Sequence, residues 1–382
     1  MIAELLQEVG SQVVIKYLKN RITWVIIMFK HKPLRWDYCV HRLYNKQKSV
    51  IYVNDRNRES EWLSKKKGVL DLAGTLAFLP QVSLISPHDN IDENSINVKL
   101  LAEDFQPSIV SDDGFEYWQL AKGELFFDGS NARLKRWDKN SRSLIFQGAH
   151  HFDYIKTNLS LDLPIPIETL REQLCRDGQI ESLEDSVLAN VLGINGLLFS
   201  NDGYIIVQKR LNSVLIRRGE LCSGFSGTID KQDIANSIFA GSKLGNMDVV
   251  REMVEEVGID YSNVSSRCFL GITRELVRGG KPEMFYSVDV NLPSDMILQG
   301  YRKDKEGTIK RVHFGKFGCS TPSEYHRRKL PEQFWRLVGT IRERGKGSIS
   351  LPLLTNLVLW YQHVCPKEVG MGEFPEGSLD CK

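Results

Sequence analysis

The stretch REMVEEVGI, residues 251 to 259, decides how the rest of the sequence is interpreted. Its glutamates, Glu252, Glu255 and Glu256, follow at offsets of three and four residues, which place them on one face of an α-helix. Like charges at that spacing repel one another by roughly a few tenths of a kcal/mol per pair. The face is therefore either a solvated acidic surface or a site for a divalent cation, since clustered carboxylates suit Mg²⁺.

The composition of the 382 residues is that of an ordinary globular protein, and the chain is long enough for more than one domain. The net charge of +2 gives no global electrostatic reason to expect nucleic-acid binding. The seven cysteines are scattered, odd in number and without a CxxC pair. This pattern favours reduced thiols and a cytoplasmic location, and it argues against a zinc ribbon.

The N-terminal region combines a short apolar run with many basic residues. Residues 22–29 carry no charge, but a membrane span needs about 20 apolar residues, so no transmembrane span is expected. Between Lys16 and Lys48, nine Lys and Arg residues face a single acid, Asp37. Two interpretations stay open: a basic, partly buried surface, or contact with an anionic partner such as a membrane surface or nucleic acid.

Local patterns predict the main elements. From about residue 105 to 160 the pattern is β-like, in four short runs: FEYWQL (115–120), GELFFDG (123–129), ARLKRW (132–137) and SLIFQG (143–148). Short helices are predicted in PIETLREQL (166–174) and SLEDSVLANVLG (182–193), the second with Ser182 as its N-cap. INGLLFSNDGYIIVQKR (194–210) predicts a β-hairpin, because two apolar runs flank the turn triplet Asn201-Asp202-Gly203.

The order of the elements around the acidic helix predicts the fold class. A Gly-rich loop, CSGFSGTID (222–230), follows the hairpin, and a polar insertion leads to the helix. RCFLGITREL (267–276) and EMFYSVDV (283–290) then have the pattern of strands. Hairpin, loop, helix and two strands in this order predict a mixed sheet with helices packed on its faces.

These features resemble the Nudix hydrolase family. The family signature is Gly, five residues, Glu, seven residues, and then Arg-Glu-aliphatic-x-Glu-Glu-x-Gly-aliphatic. Its second half is matched in full from Arg251 to Ile259. In the first half, Gly227 is followed after five residues by Asp233 in place of Glu, and seventeen residues rather than seven precede Arg251. The ten extra residues predict a longer loop between the Gly loop and the helix.

The resemblance extends beyond the signature. FFDGSNARLKRW, FDYIKTNL, GITRE and the late GKGSISL are similar to a Nudix subgroup that hydrolyses UDP-glucose and UDP-galactose. This implies an α/β (α+β) protein, a Nudix α/β/α sandwich with a mixed sheet, preceded by a β-rich segment and an N-terminal extension. The expected division is 1–104 (extension of unclear fold), 105–190 (β-rich accessory segment), 191–364 (Nudix hydrolase domain) and 365–382 (tail).

The resemblance also implies the metal site and the catalytic residues. Mg²⁺ (or Mn²⁺) would be held by Glu252, Glu255, Glu256 and the main chain of Gly227. Arg251 would point away from the metal face and pair with a loop carboxylate, either Asp233 or Asp230. Glu252, Glu275 and Glu283 are the candidates for the general base.

Substrate contacts are expected around the loop LVRGGKP (276–282). Arg278 and Lys281 could bind phosphates, and Glu283 flanks them. The remaining candidates come from the hairpin, the Gly loop and the accessory segment; they are Arg210, Gly224, Tyr154 and Asn158, with Asn131 and Arg133 as further groups that could recognise a base.

The function implied is Mg²⁺-dependent hydrolysis of a small-molecule nucleotide, a UDP-sugar, to UMP and a sugar 1-phosphate. One alternative is a pyrophosphatase for ADP-ribose or another dinucleotide. The other is a Nudix-derived module that senses a nucleotide without cleaving it. Loss of the helix carboxylates would favour the sensing module, and all three of these carboxylates are present in the sequence.

Overall fold

The structure is a computed structural model that describes residues 44, 46–54, 70–72, 76–110, 114–115, 118, 128–165, 168–175, 177–211, 219–301, 307–313, 330, 334, 336–341, 348–366 and 369–372. Its strands are β1 (Val50–Asn54), β2 (Leu70–Leu72), β3 (Leu76–Ile85), β4 (Asn97–Leu100), β5 (Ser130–Asp138), β6 (Ser143–His150), β7 (Pro164–Ile165), β8 (Glu168–Thr169), β9 (Gly193–Ser200), β10 (Tyr204–Arg210), β11 (Glu220–Cys222), β12 (Phe225–Thr228), β13 (Val264–Glu275), β14 (Lys281–Val290), β15 (Gly307–His313), β16 (Ser348–Ile349) and β17 (Val369–Gly372). Its α-helices are α1 (His151–Lys156), α2 (Leu170–Leu174), α3 (Lys231–Phe239), α4 (Arg251–Val257), α5 (Ser294–Gly300) and α6 (Leu351–Val364).

A large mixed sheet forms the centre of the protein. Its strand order is β16-β11-β10-β9-β14-β13-β3-β1-β17, and β12 and β15 pair with β9 and β10. β9 and β14 run parallel, whereas β9 and β10 form the antiparallel hairpin predicted from the sequence. At the hairpin turn, Gly203 has a φ of 84°, and Asp202 accepts a hydrogen bond from the Ser200 hydroxyl at 2.6 Å.

Helices cover both faces of this sheet. Because neighbouring residues of a strand point to opposite sides, Leu197 packs into the cluster that contains α6 and Leu198 into the cluster that contains α4. Every side chain of α6 is buried except that of His363. On that face, the ring of Phe334 stacks on Tyr361 with centroids 4.2 Å apart. The predicted α/β/α arrangement on a mixed sheet is therefore confirmed.

A second, three-stranded sheet has the order β4-β6-β5 and contains ARLKRW and SLIFQG, as predicted. FEYWQL was expected to be a strand, but its described residues Phe115 and Trp118 are helical. The reason is their spacing of three residues, which suits one face of a helix. Phe115 packs edge-on against Phe152 at 4.8 Å, and the Trp118 indole donates to Leu159 O at 3.2 Å. Most of GELFFDG lies outside the described residues.

The helix predicted over 182–193 is wrong. Ser182 does cap a turn, because its hydroxyl accepts from the backbone N–H of Asp185 at 3.1 Å. Beyond that turn, the guanidinium of Arg133 donates hydrogen bonds to the backbone carbonyls of Leu183, Ser186 and Leu188. A helix would need these carbonyls for its own hydrogen bonds. The backbone at residues 190 and 191 instead pairs with β5.

Strand pairing crosses the expected segment boundaries. β3, from the segment 1–104, pairs with β13 of the large sheet, and β1 pairs with β17 in the segment 365–382. β4, also from 1–104, pairs with β6 of the accessory sheet. Most of the basic stretch 16–48 lies outside the described residues. None of the helices in the described part of the chain has the length and apolar character that crossing a membrane requires.

Candidate functional site

Helix α4 carries the acidic stretch, as predicted. It begins at Arg251 and is capped by Gly258, whose φ of 76° is a left-handed conformation that glycine adopts without a Cβ clash. Met253 and Val257 lie four residues apart and are buried against the sheet. This apolar stripe orients the helix, so the positions of its glutamates are set by core packing.

Glu256 connects α4 to two strands. Its carboxylate is buried, and Oε2 accepts from the backbone N–H of Ser226 at 2.9 Å and from Gln208 Nε2 at 3.0 Å. Hydrogen bonds to an ionised acceptor are stronger than neutral ones. Glu256 therefore fixes the helix against β12 and β10.

Two glycines of the predicted Gly loop allow close packing. The segment is not a loop for most of its length, because it forms β11 and β12. A Cβ at Gly227 would lie 2.2 Å from Glu252 Cδ, so glycine is what leaves room for this carboxylate. A Cβ at Gly224 would lie 2.6 Å from Leu198 Cβ. A side chain at position 224 would therefore clash with β9, and a side chain at position 227 would clash with the carboxylate of Glu252.

Arg251 lies among carboxylates. Its guanidinium donates to Asp233 Oδ2 at 3.2 Å, to Glu252 Oε1 at 3.0 Å and to Glu255 Oε2 at 3.0 Å. The predicted pairing with Asp233 is present, although Asp233 lies in helix α3 and not in a loop. The expectation that Arg251 points away from the glutamates is wrong, because their charge attracts the guanidinium to the same side. Asp230 lies further off, with Oδ2 at 3.7 Å from Nη2.

The cluster has an excess of negative charge. Four carboxylates, those of Asp230, Asp233, Glu252 and Glu255, surround the one guanidinium of Arg251. Burial raises the pKa of Glu252 to about 7; Arg251 opposes this shift and the neighbouring acids add to it. Burial also raises the pKa of Asp230. An additional cation would stabilise the ionised form of these groups.

The residues fit a hard divalent cation in charge and in donor chemistry, since Mg²⁺ prefers carboxylate and carbonyl oxygens. The arrangement of their side chains matches a metal site less well than their chemistry does. Within the described residues, no three acidic, histidine or cysteine side chains converge as a set of metal ligands. Glu256 faces the backbone of β12, and Glu255 is half exposed beside Arg251.

The ten extra residues of the motif contribute to a helix that the sequence analysis did not predict. Helix α3 packs on β4, β5 and β6, the strands of the accessory sheet. Asp233 lies in its first turn, where Oδ2 accepts from the backbone N–H of Asp230 at 3.0 Å as well as from Arg251. Aspartate therefore both caps the inserted helix and pairs with Arg251.

A second polar group lies at the start of β14. Lys281 Nζ is 2.7 Å from Glu283 Oε1, and Glu283 Oε2 accepts from Asn195 Nδ2 at 2.8 Å. All three side chains are buried. Burial lowers the pKa of Lys281, although Glu283 opposes the shift. The sequence analysis missed Asn195 and also Gly193, where a Cβ would lie 2.1 Å from Glu283 Oε2.

The other predicted substrate contacts join this second group. Arg278 Nη1 donates to Tyr154 OH at 3.0 Å, and Asn158 Nδ2 donates to the carbonyl of Arg278 at 2.9 Å. The Nζ of Lys281 lies 5.8 Å from the centroid of the Tyr154 ring. Burial opposes the charge of Arg278, but Glu275, Tyr154 and Glu283 outweigh it and raise its pKa. These residues form a buried network, in which Arg278 and Lys281 are paired with side chains of the protein itself.

The two groups face opposite sides of the large sheet. Glu283 shares a face with Phe285, which packs in the cluster of α6, while Glu252 lies on the side of α4. Arg210 ends β10 and shares a face with Gln208, the partner of Glu256. Arg133 is 1% exposed, and its donors are engaged by Gln147 and backbone carbonyls. The structure thus separates the predicted metal residues from most of the predicted substrate contacts.

No protein-family model and no curated protein matches the sequence. Among solved structures, DR0079 from Deinococcus radiodurans is similar over 32% of this chain and 67% of its own, with 14% identity and a TM-score of 0.24. The Ap4A hydrolase of C. elegans is similar over 40% of this chain and 96% of its own, with 12% identity and a TM-score of 0.21. TM-scores of this size do not establish a common fold, so the function has to be inferred from the residues of this chain.

Proposed function

We propose that the chain is a Mg²⁺-dependent Nudix pyrophosphatase that hydrolyses a nucleoside diphosphate linked to another moiety. The observation that carries this proposal is the position of Arg251 between Asp233 and Glu252, with Glu252 packed against Gly227. These contacts bring together the two halves of the signature, although the insertion separates them in sequence. The three glutamates of the second half are all present on α4.

Glu252, Glu255, Glu256 and the main chain of Gly227 would hold the cation. When bound, Mg²⁺ neutralises charge on the pyrophosphate oxygens and favours attack by water. Arg251 balances part of the carboxylate charge and fixes the side chains of Asp233 and Glu252. Glu256, held by Ser226 and Gln208, fixes the distance between the helix and β12.

Glu252 is the general base that the hydrogen bonding favours. A base needs a carboxylate oxygen within reach of the attacking water, and Arg251 donates to Oε1 of Glu252, which leaves Oε2 for that role. The competing candidate Glu283 has both carboxylate oxygens engaged, one by Lys281 and one by Asn195. Proton transfer from the attacking water to Glu252 is therefore the step that we assign to this chain.

For the substrate we propose a UDP-hexose, cleaved to UMP and a sugar 1-phosphate. The support is the resemblance of FFDGSNARLKRW and FDYIKTNL to the UDP-sugar subgroup. Tyr154 and Asn158 of that segment contact Arg278 in the buried network, which lies apart from Glu252, so these contacts do not add to the support. We also propose a cytoplasmic location, in keeping with the absence of a disulfide at Cys175 and Cys268.

The test is hydrolysis of UDP-glucose, ADP-ribose and GDP-mannose at equal concentration, with Mg²⁺ and with EDTA. We expect Mg²⁺-dependent cleavage with the highest kcat/KM for UDP-glucose. Higher kcat/KM for ADP-ribose would contradict the substrate but leave the reaction class standing. Nucleotide binding without cleavage of any compound would favour the sensing module.

Matched variants then test the site itself. Glu252→Gln should lower kcat by about 10²-fold or more if Glu252 is the base, whereas Glu184→Gln, at a half-exposed surface ion pair, should not. Gly227→Ala should displace Glu252 and weaken Mg²⁺ binding. Gly300→Ala is its control, because a Cβ at Gly300 meets nothing within 4 Å. Equal activity of Glu252→Gln and Glu184→Gln would overturn the assignment of the base.

A further inference from the structure

Asn131, on β5 of the accessory sheet, reaches the carboxylate cluster. Its Nδ2 donates to Asp230 Oδ1 and to Thr228 Oγ1, each at 3.3 Å. The two backbones meet at the same point, because residues 131 and 230 form a β-bridge and the N–H of Ala132 donates to Ile229 O at 2.8 Å. The side-chain contact is therefore held in place by main-chain pairing.

From Asp230 the contacts continue to the helix. The backbone N–H of Asp230 donates to Asp233 Oδ2, and the same oxygen accepts from Arg251. Oδ2 of Asp230 also lies 3.7 Å from Arg251 Nη2, and Arg251 in turn holds Glu252. A continuous polar path thus runs from the accessory sheet to the glutamates.

The hydrogen bonding of Asn131 points to a role other than stability. Its side chain is 4% exposed, and its Oδ1 is buried without a hydrogen-bond partner. A buried acceptor left unpaired costs folding free energy, so an apolar residue would suit stability alone. The amide nevertheless directs its donor group at Asp230. A carboxylate at this position would repel Asp230, and an aliphatic side chain would leave it unsupported.

We propose that Asn131 is a positioning residue, which orients Asp230 and thereby Arg251 and Glu252, so that the accessory sheet sets the cation affinity of the site. The consequence for cation affinity rests on the function proposed above. The coupling between Asn131 and Asp230 does not.

The first experiment measures the Mg²⁺ concentration that gives half-maximal thermal stabilisation of the full chain. Asn131→Ala and Asn131→Ser, which remove the amide without adding charge, should each raise it by about 10-fold, in the range expected when residues supporting metal ligands are replaced. Asn97→Ala is the control. Asn97 also joins the accessory sheet to the insertion, because its Oδ1 accepts from Lys243 Nζ at 2.7 Å. Its Nδ2 donates to the carbonyl of Ser141 and not to the carboxylate cluster. Asn131 variants that bind Mg²⁺ as tightly as Asn97→Ala would overturn the proposal.

The second experiment is a double-mutant cycle in urea without metal, with Asn131→Ala, Asp230→Ala and the double variant. We expect non-additivity, with the double variant unfolding at the midpoint of the less stable single variant. Additive midpoint shifts would overturn the coupling. If Asn131→Ala does not fold, Asn131→Ser takes its place in the cycle, because it removes the amide without adding charge beside Asp230. A wild-type chain that binds neither Mg²⁺ nor nucleotide would overturn the proposed function and the cation part of this proposal, while the cycle would still decide whether Asn131 positions Asp230.

Discussion

At the scale of single residues, the glutamates of α4 differ although they share one helical face. Glu252 is largely buried against Gly227, Glu256 is buried and accepts two hydrogen bonds, and Glu255 is half exposed. The spacing in the sequence predicts the shared face. It does not predict these differences, because they depend on β10 and β12, which are distant in sequence.

The pH dependence of stability should report the buried carboxylate of Glu252. Its pKa is about 7 in the folded chain, above the 4.5 of a glutamate in water. The folded state therefore binds the proton more tightly, so this stabilisation is complete below pH 4.5 and is lost as the pH rises through 7. The loss is at most roughly 3 kcal/mol, at 1.36 kcal/mol per pKa unit.

The measurement is urea unfolding in EDTA at pH 5 and pH 8, for the wild type and for Glu252→Gln. The variant cannot titrate at this position, so the free energy of unfolding of the wild type should fall more between the two pH values than that of the variant. Parallel pH dependence of the two proteins would show that Glu252 titrates normally.

Glu256→Gln and Glu255→Gln should differ in stability. Both glutamates lie on α4, but their contacts differ. Gln places a neutral amide where the carboxylate accepts from Ser226 and Gln208, which should cost about 1–3 kcal/mol. Glu255 forms an exposed ion pair with Arg251, worth about 0–1 kcal/mol. Urea midpoints measured without metal would check this, and equal midpoints would contradict it.

At the scale of elements, local signals predict some structures well and others poorly. The hairpin of β9 and β10 and the helix α4 are both predicted. Their signals, the turn residues between the strands and the glycine after the helix, lie next to the elements in sequence. The helix expected over 182–193 is absent, because Arg133, about 50 residues earlier, binds its carbonyls. Helix α3 was missed for a related reason, since the strands that it packs on come from the segments before residue 150.

The inserted helix α3 should owe its stability to one face. Ile234 is fully buried in the core cluster shared with the accessory sheet, whereas Phe239, on the same helix, is 97% exposed. Ile234→Ala should therefore destabilise the protein by about 2–5 kcal/mol, and Phe239→Ala by less than about 0.5 kcal/mol. Urea unfolding gives both values, and a larger effect at Phe239 would mean that the exposed ring has a packing partner in solution.

At the scale of the whole molecule, the accessory sheet and the large sheet share one core. Leu134 and Phe146 of the accessory sheet pack in the same cluster as Ile194 and Met253. The division at residue 190 follows the sequence pattern, which shows where the β-rich runs stop. The sequence pattern carries no information about backbone hydrogen bonds that join residues on either side of position 190. One such bond runs from the N–H of Leu192 to Ala132 O at 2.9 Å.

The shared core predicts that the two sheets unfold as one cooperative unit. Amides in the central strands of a unit exchange with solvent through the same global opening, so the amides of Phe146 in β6 and Leu198 in β9 should show equal opening free energies. Arg133→Ala should lower both by the same amount, about 2–3 kcal/mol, because it leaves the buried carbonyls of Leu183, Ser186 and Leu188 without the donors they now have. Native-state hydrogen exchange measures both amides in one experiment. If Phe146 exchanged through a lower-energy opening than Leu198, the accessory sheet would unfold independently, and a position on it such as Asn131 could not hold the carboxylate cluster rigidly.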